Sequence, residues 1–134
     1  MSIGLLLITH QPLGGDLLRI AGAILGTEPH ATEALELVND RPCDCMLREA
    51  LDCVDRLDRG NGVLVLTDLY GSTPANIARA LCNQQQRRVR VISGVNLPML
   101  LRALNYADLD LDSVAEKALE GGREGVICCQ EQGA

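Results

Sequence analysis

Aromatic side chains are nearly absent from this 134-residue chain, which has two tyrosines and neither tryptophan nor phenylalanine. Proteins that bind single-stranded nucleic acid stack its bases on aromatic rings, so the chain lacks the means for that mode of binding. Basic residues are also in the minority, with 12 Lys and Arg against 18 Asp and Glu and a net charge of −6. Because negative charge repels a phosphate backbone, we expect no nucleic-acid partner.

Long apolar runs are missing as well. The first apolar segment, residues 3–8, is far shorter than the roughly 20 residues that cross a bilayer. No basic residue precedes it, as one would in a secretory signal peptide. We therefore expect a cytoplasmic protein with no direct membrane insertion.

Cysteine, by contrast, is plentiful, and its six positions are Cys43, Cys45, Cys53, Cys82, Cys128 and Cys129. A cytoplasmic chain keeps its thiols reduced, and a chain of this size can bury a core without disulfides. The pair Cys43 and Cys45 lacks a second pair at the spacing of a zinc site. We predict no metal and no other cofactor, with a metal or redox role of the cysteines as the alternative.

Apolar patterning indicates one α/β domain that spans residues 1–134. Strands are predicted at 3–8, 63–66 and 89–93, and helices at 16–25, 44–59, 73–81, 98–104 and 112–120. Asp16 is the predicted cap of the first helix. Residues 30–38 fit either an edge strand or a helix. Strands that alternate with helices predict a three-layer sandwich around a mostly parallel sheet.

Two side chains with reactive chemistry follow predicted strands. His10 comes directly after the first apolar strand, and Asp68 comes after the strand at 63–66. Ligands of such sheets collect at the carboxyl ends of the strands. A neutral imidazole is a competent phosphoryl acceptor, and a carboxylate bonded to its other nitrogen would fix the tautomer. His10 and Asp68 are therefore the predicted catalytic pair, provided that the first and third strands are neighbours.

The helix that follows Asp68 offers donors for phosphoryl oxygens. Ser72 and Thr73 stand at its start, where unpaired N–H groups and the positive end of the helix dipole attract anions. We predict that both residues bind phosphate. Thr9, Gly71 and Asn96 lie in loops predicted to face the substrate or a partner protein.

Four sequence blocks carry a resemblance to a known family. They are residues 3–10, VLVLTDLYGSTPANIA at 63–78, VISGVNLPML at 91–100 and GREGV at 122–126. In their order and spread over nearly the whole chain, they resemble the mannose-family enzyme IIA domain of the bacterial phosphoenolpyruvate sugar phosphotransferase system. Two features depart from its pattern: Gln11-Pro12 replaces the glycine after the histidine, and a second glycine is missing before Ser72.

The resemblance implies that His10 accepts a phosphoryl group from the phosphocarrier protein HPr, with Asp68 in support and Ser72 as a phosphate contact. The group would then pass to a separate IIB protein or serve as a regulatory signal. The implied fold has four parallel strands, with the first and third adjacent. A short antiparallel strand at 125–129 would be exchanged between the subunits of a homodimer.

Two other functions remain open at this point. The rival is a non-enzymatic regulatory module in which the cysteines sense redox state or metal. A third is a small-molecule-binding domain that uses the helix start at Ser72 as an anion site, although no P-loop or dinucleotide fingerprint is present. The basic cluster Arg87, Arg88 and Arg90 is interpreted as a solvated strand edge. His30 is assigned no role.

Overall fold

The computed structural model describes residues 2–27, 31–38 and 41–130, so His30 lies outside the described residues. Its strands are β1 (Gly4–His10), β2 (Thr32–Leu37), β3 (Val63–Thr67) and β4 (Val89–Ser93). Its helices are α1 (Leu13–Leu25), α2 (Cys43–Leu57), α3 (Thr73–Cys82), α4 (Leu97–Asn105) and α5 (Leu111–Glu124). The alternation of strands and helices predicted from the sequence is confirmed.

The four strands form one parallel sheet in the order β2-β1-β3-β4. The segment that the sequence left open is therefore a strand, and it lies at the edge of the sheet. Its Ala and Glu residues disfavour a strand in isolation, but pairing with β1 decides the outcome. In that pairing Leu7 lies opposite Ala34, and Ile8 lies opposite Leu35.

Helices cover both faces of the sheet, which gives the predicted three layers. On one face, Leu64 and Leu66 of β3 pack with residues of α1, α4 and α5. On the other face, Val63 and Val65 of the same strand pack with residues of α2 and α3. All four of these side chains are completely buried, and each such burial stabilises the fold by about 1.5–3 kcal/mol. Successive residues of a central strand thus belong to two different cores.

Helix α1 begins earlier than the sequence predicts. Asp16 is not its cap: the cap position is Pro12, and Asp16 lies in the first turn with its N–H donated to the Pro12 carbonyl. Two side chains from neighbouring strands replace the expected cap. Thr9 accepts the N–H of Gly14, and Glu36 accepts the N–H of Gly15. Such tertiary capping leaves no local signal in the sequence of the helix itself.

The C-terminal segment forms no strand in the single chain. Gly125 is the C-cap of α5, and residues 126–130 lie outside helices and strands. Val126 and Ile127 are 76% and 74% exposed. Because the predicted strand at 125–129 needs a second copy as its neighbour, it stays a prediction. Across the part of the chain that the structure describes, no helix is both long and apolar enough to span a bilayer.

Candidate active site

The two central strands bring His10 and Asp68 together. His10 is the last residue of β1, Asp68 directly follows β3, and these strands pair with Ile8 opposite Thr67. The ring Nδ1 of His10 lies 2.7 Å from Oδ2 of Asp68. The main-chain N–H of His10 donates to the same oxygen at 3.0 Å. The adjacency of the first and third strands, on which the predicted pair depended, is therefore present.

The electrostatics of this contact set the state of the imidazole. Burial of Asp68 acts to raise its pKa, but the hydrogen bonds and the charge of His10 outweigh it, and the pKa falls below its ordinary value. An ionised carboxylate can only accept hydrogen bonds. In the neutral form of the ring the proton is therefore assigned to Nδ1, which leaves the lone pair on Nε2. The side chain of His10 is 46% exposed and that of Asp68 only 11%, so solvent reaches the imidazole but hardly the carboxylate.

The start of α3 follows Asp68 closely along the chain. Its cap residue, Ser72, is extended and makes no side-chain cap bond. The Ser72 hydroxyl instead donates to the Leu69 carbonyl at 2.6 Å, which closes the turn after Asp68. Gly71 is exposed in this turn and has a φ of +84°, a conformation that favours glycine.

Thr73 is left as the free hydroxyl at this helix start. It is exposed, and within residues 2–27, 31–38 and 41–130 no partner bonds its hydroxyl. The next residue, Pro74, has no N–H to donate. Of the two predicted phosphate-binding residues, Ser72 therefore already donates its hydroxyl hydrogen bond to the loop. The hydroxyl of Thr73 can still donate to a ligand.

The side chain of Thr9, which was predicted to face a substrate or partner, is completely buried. The Thr9 hydroxyl donates to the His10 carbonyl at 2.9 Å and accepts the N–H of Gly14 at 2.8 Å. Thr9 thus links the end of β1 to the start of α1 through two hydrogen bonds of one buried hydroxyl.

Asn96, also predicted to face a substrate or partner, makes two hydrogen bonds within the chain. Its side-chain oxygen accepts the N–H of Met99 and caps α4. Its amide nitrogen donates to the Gly122 carbonyl of α5 at 3.0 Å. Both ends of the amide are therefore engaged within the chain, and Asn96 ties two helices together.

Sequence reasoning missed Leu69 and Tyr70. They follow Asp68 directly and are 63% and 75% exposed. Exposed apolar side chains beside a reactive group are typical of a surface that another protein covers. The signal was available in the sequence, since Tyr70 is one of only two aromatic residues and stands in a loop.

No cysteine is a hydrogen-bond partner of the His10 or Asp68 side chain in the part of the chain that the structure describes. All six are free thiols, and only Cys53 is buried. Burial raises the pKa of the Cys53 thiol to about 11. Among the residues that the structure describes, no group of three or more His, Cys, Asp or Glu side chains is arranged to hold a metal ion. In the basic cluster, Arg87 pairs with Asp55 and Arg90 with Asp112 at the surface.

Comparison with known proteins gives consistent matches. The family model EIIA-man, described as the PTS system fructose IIA component, matches residues 4–119. The mannose-specific EIIAB component of the PTS system from Escherichia coli (strain K12) is 32% identical over 128 residues, which cover 94% of this chain and 39% of that protein. The chain thus spans well under half the length of this relative. The sugars in these descriptions differ, and they assign none to this chain.

Solved structures share the fold. Phosphotransferase system component EIIA from Streptococcus agalactiae superposes with a TM-score of 0.84 at 23% identity, over 94% of this chain and 96% of that one. The mannose/sorbose specific IIA subunit from Enterococcus faecalis gives 0.82 at 24% identity, over 97% and 96%. With the family model matched along most of its length, the chain belongs to the EIIA-man family of phosphotransferase system IIA components.

Proposed function

We propose that the protein is a cytoplasmic phosphocarrier that accepts a phosphoryl group from HPr on Nε2 of His10. The observation that carries the proposal is the bond between His10 Nδ1 and Asp68 Oδ2. It leaves the Nε2 lone pair free to attack phosphorus. As the new N–P bond forms, the N–P bond of the donor phosphohistidine breaks, and its electron pair returns to the donor imidazole.

Asp68 and α3 stabilise the charges that this step creates. The acceptor ring becomes cationic as the bond forms, and the ionised carboxylate at 2.7 Å from Nδ1 balances that charge. The phosphoryl oxygens need donors, which the Thr73 hydroxyl and the positive end of α3 supply. The scheme needs no metal and no other cofactor.

Leu69 and Tyr70 form the contact surface for the donor protein in this proposal. Both side chains are exposed and follow directly after Asp68, the residue bonded to His10. The same surface serves the next acceptor, a IIB protein. Where no such acceptor exists, the phosphorylated state acts as a regulatory signal.

The protein is a homodimer in this proposal, with residues 125–129 of each copy added as an antiparallel strand to β4 of the other. Three features support it. β4 is the last strand of the described sheet, so one of its edges is open. A groove of about 540 Å³ along this edge is lined by Val91, Ile92 and Leu119. Val126 and Ile127 are exposed apolar residues suited to fill it.

Phosphoenolpyruvate, enzyme I and HPr provide the test of phosphoryl acceptance. The purified protein is incubated with all three, and its intact mass is measured beside that of His10→Ala. We expect one phosphoryl group on the wild type, labile in acid and stable in base, and none on the variant. Equal modification of both proteins, or of neither, would overturn the proposal.

Sedimentation equilibrium tests the homodimer. The full chain should sediment as a dimer, and a chain truncated after Glu124 should sediment as a monomer with unchanged secondary structure by circular dichroism. A truncated chain that remains dimeric would show that residues 125–129 do not form the interface.

A further inference from the structure

His10 is held at both of its main-chain polar groups by side chains. Its N–H donates to Asp68 Oδ2 at 3.0 Å, and its carbonyl accepts the hydroxyl of Thr9 at 2.9 Å. The same hydroxyl accepts the N–H of Gly14 at 2.8 Å. A single oxygen therefore joins the end of β1 to the first turn of α1.

Thr9 lies where it can act on His10 without touching anything outside the chain. Successive residues of a strand point to opposite faces of the sheet, so the two side chains point away from each other. The side chain of Thr9 is completely buried, whereas that of His10 is 46% exposed. Any effect of Thr9 on chemistry must therefore pass through the main chain of His10.

The loop has little freedom to replace this hydroxyl. A Cβ added to Gly14 would lie 2.9 Å from Thr9 Oγ1, which shows how closely the helix start approaches it. Without the hydroxyl, the partly buried His10 carbonyl and the buried Gly14 N–H each lose a partner. The loop must then shift to find others, and the imidazole shifts with it.

We propose that Thr9 is a positioning residue for phosphoryl acceptance, holding the His10 main chain so that Nδ1 meets Asp68 and Nε2 faces the donor. This inference rests on the proposed function of His10. It replaces the partner contact predicted for Thr9 from the sequence.

Three variants test it: Thr9→Ala, Thr9→Ser and the control Glu36→Ala. Thr9→Ala removes the hydroxyl without adding bulk, and Thr9→Ser restores it. Glu36 accepts the neighbouring N–H of Gly15 at 3.0 Å and makes no hydrogen bond to His10. Its removal therefore weakens the start of α1 without removing a contact to the main chain of His10. For each protein, single-turnover transfer from phosphorylated HPr gives the maximal rate, written kcat, and the HPr concentration at half that rate, written KM. The ¹⁵N shifts of the His10 ring report its tautomer.

We expect Thr9→Ala to lower kcat about ten- to a hundredfold, because small displacements of a reacting group cost this much. Its KM should stay near that of the wild type, and its ring shifts should move towards a mixture of tautomers. Thr9→Ser and Glu36→Ala should keep wild-type kcat and ring shifts. Thermal melts establish that each protein is folded at the assay temperature. If a variant is not, its rate and that of the wild type are both measured at a lower temperature.

Three results would overturn the inference: wild-type kcat in Thr9→Ala, an equal loss in Thr9→Ser, or an equal loss in Glu36→Ala. The last of these would indicate a general loosening of the loop. Failure of the wild type to accept a phosphoryl group is a different outcome and counts against the proposed function. In that case the ring shifts of Thr9→Ala still decide whether Thr9 positions the imidazole.

Discussion

One carboxylate oxygen of Asp68 receives two hydrogen bonds from His10, one from the main-chain N–H and one from ring Nδ1. The other oxygen, Oδ1, is buried and has no partner in the part of the chain that the structure describes. Both hydrogen bonds that this carboxylate accepts therefore come from one residue, His10. They fix both the backbone and the ring of the residue proposed to react.

Replacing Asp68 by asparagine should slow phosphoryl acceptance by on the order of a hundredfold or more, because a neutral amide stabilises a cationic ring less and permits the wrong tautomer. Single-turnover kinetics with phosphorylated HPr measure this rate. His10→Gln serves as the fully inactive reference. A rate for Asp68→Asn within about threefold of the wild type would be too small a loss for the role given to the carboxylate.

The same substitution should change how stability depends on pH. The pKa of Asp68 is lower in the folded chain than in the unfolded chain, so the unfolded chain binds more protons between the two pKa values. The contribution of Asp68 is therefore complete above its unfolded pKa of about 3.9 and is lost as the pH falls through the folded pKa. Urea unfolding from about pH 3 to pH 7 should show the wild type gaining stability over Asp68→Asn as the pH rises.

A difference that does not vary with pH in that experiment would contradict the lowered pKa of Asp68. Near neutral pH, we expect the variant to be less stable by about 1.5–3 kcal/mol, the range for a hydrogen bond to a charged group.

Ser72 and Thr73 should differ in what their loss does. Thr73→Val removes the free hydroxyl and should lower the rate of phosphoryl acceptance about tenfold, with little change in unfolding free energy. Ser72→Ala removes the bond to the Leu69 carbonyl and should cost about 0.5–1.5 kcal/mol of stability, with a smaller effect on rate. Single-turnover rates and urea unfolding separate the two, and the reverse order of effects on the rate would identify Ser72 as the phosphate contact.

Tyr70→Ala should raise the KM for phosphorylated HPr about fivefold or more and leave kcat unchanged, because it removes contact area without touching the reacting groups. The matched control is Tyr106→Ala, since Tyr106 is the other aromatic residue and lies beyond the far end of α4. Tyr70 also lines the groove along β4, so sedimentation must show that the variant has the wild-type oligomeric state. Equal KM values for both variants would exclude Tyr70 from the donor surface.

Cys53 should resist alkylation in the folded protein. It is 5% exposed, and its pKa of about 11 leaves little thiolate near pH 8. Iodoacetamide labelling followed by peptide mass spectrometry should modify the five exposed cysteines first. Labelling of Cys53 at the rate of Cys43 would show that α2 opens readily or that the thiol is less shielded than its position indicates.

The central strands and α3 were predictable because their signals are local. The segment 63–66 is continuously apolar, as a strand buried on both faces must be. Pro74 stands within the first turn of α3, where its missing N–H removes nothing. The placement of His10 and Asp68 after such strands followed directly from this pattern.

Other features depend on contacts between distant parts of the chain. Thr9 of β1 and Glu36 of β2 accept the first N–H groups of α1. Because the sequence does not show these contacts, Asp16 was predicted to be the cap. Asn96 looked free in its loop because the sequence does not show that Gly122 lies beside it. The meeting of His10 with Asp68 likewise required a strand order, which patterning alone does not determine.

The strand order has a consequence for how this protein can change over evolutionary time. The residues proposed to take part in the reaction stand at the ends of β1 and β3, which are interior, while β2 and β4 form the margins of the sheet. Substitutions within β4 itself therefore lie outside the two strands that carry His10 and Asp68. Of the residues in the loop after Asp68, Tyr70 is the one that also lines the groove along β4, so a change of assembly along β4 would reach the proposed reaction centre through that loop.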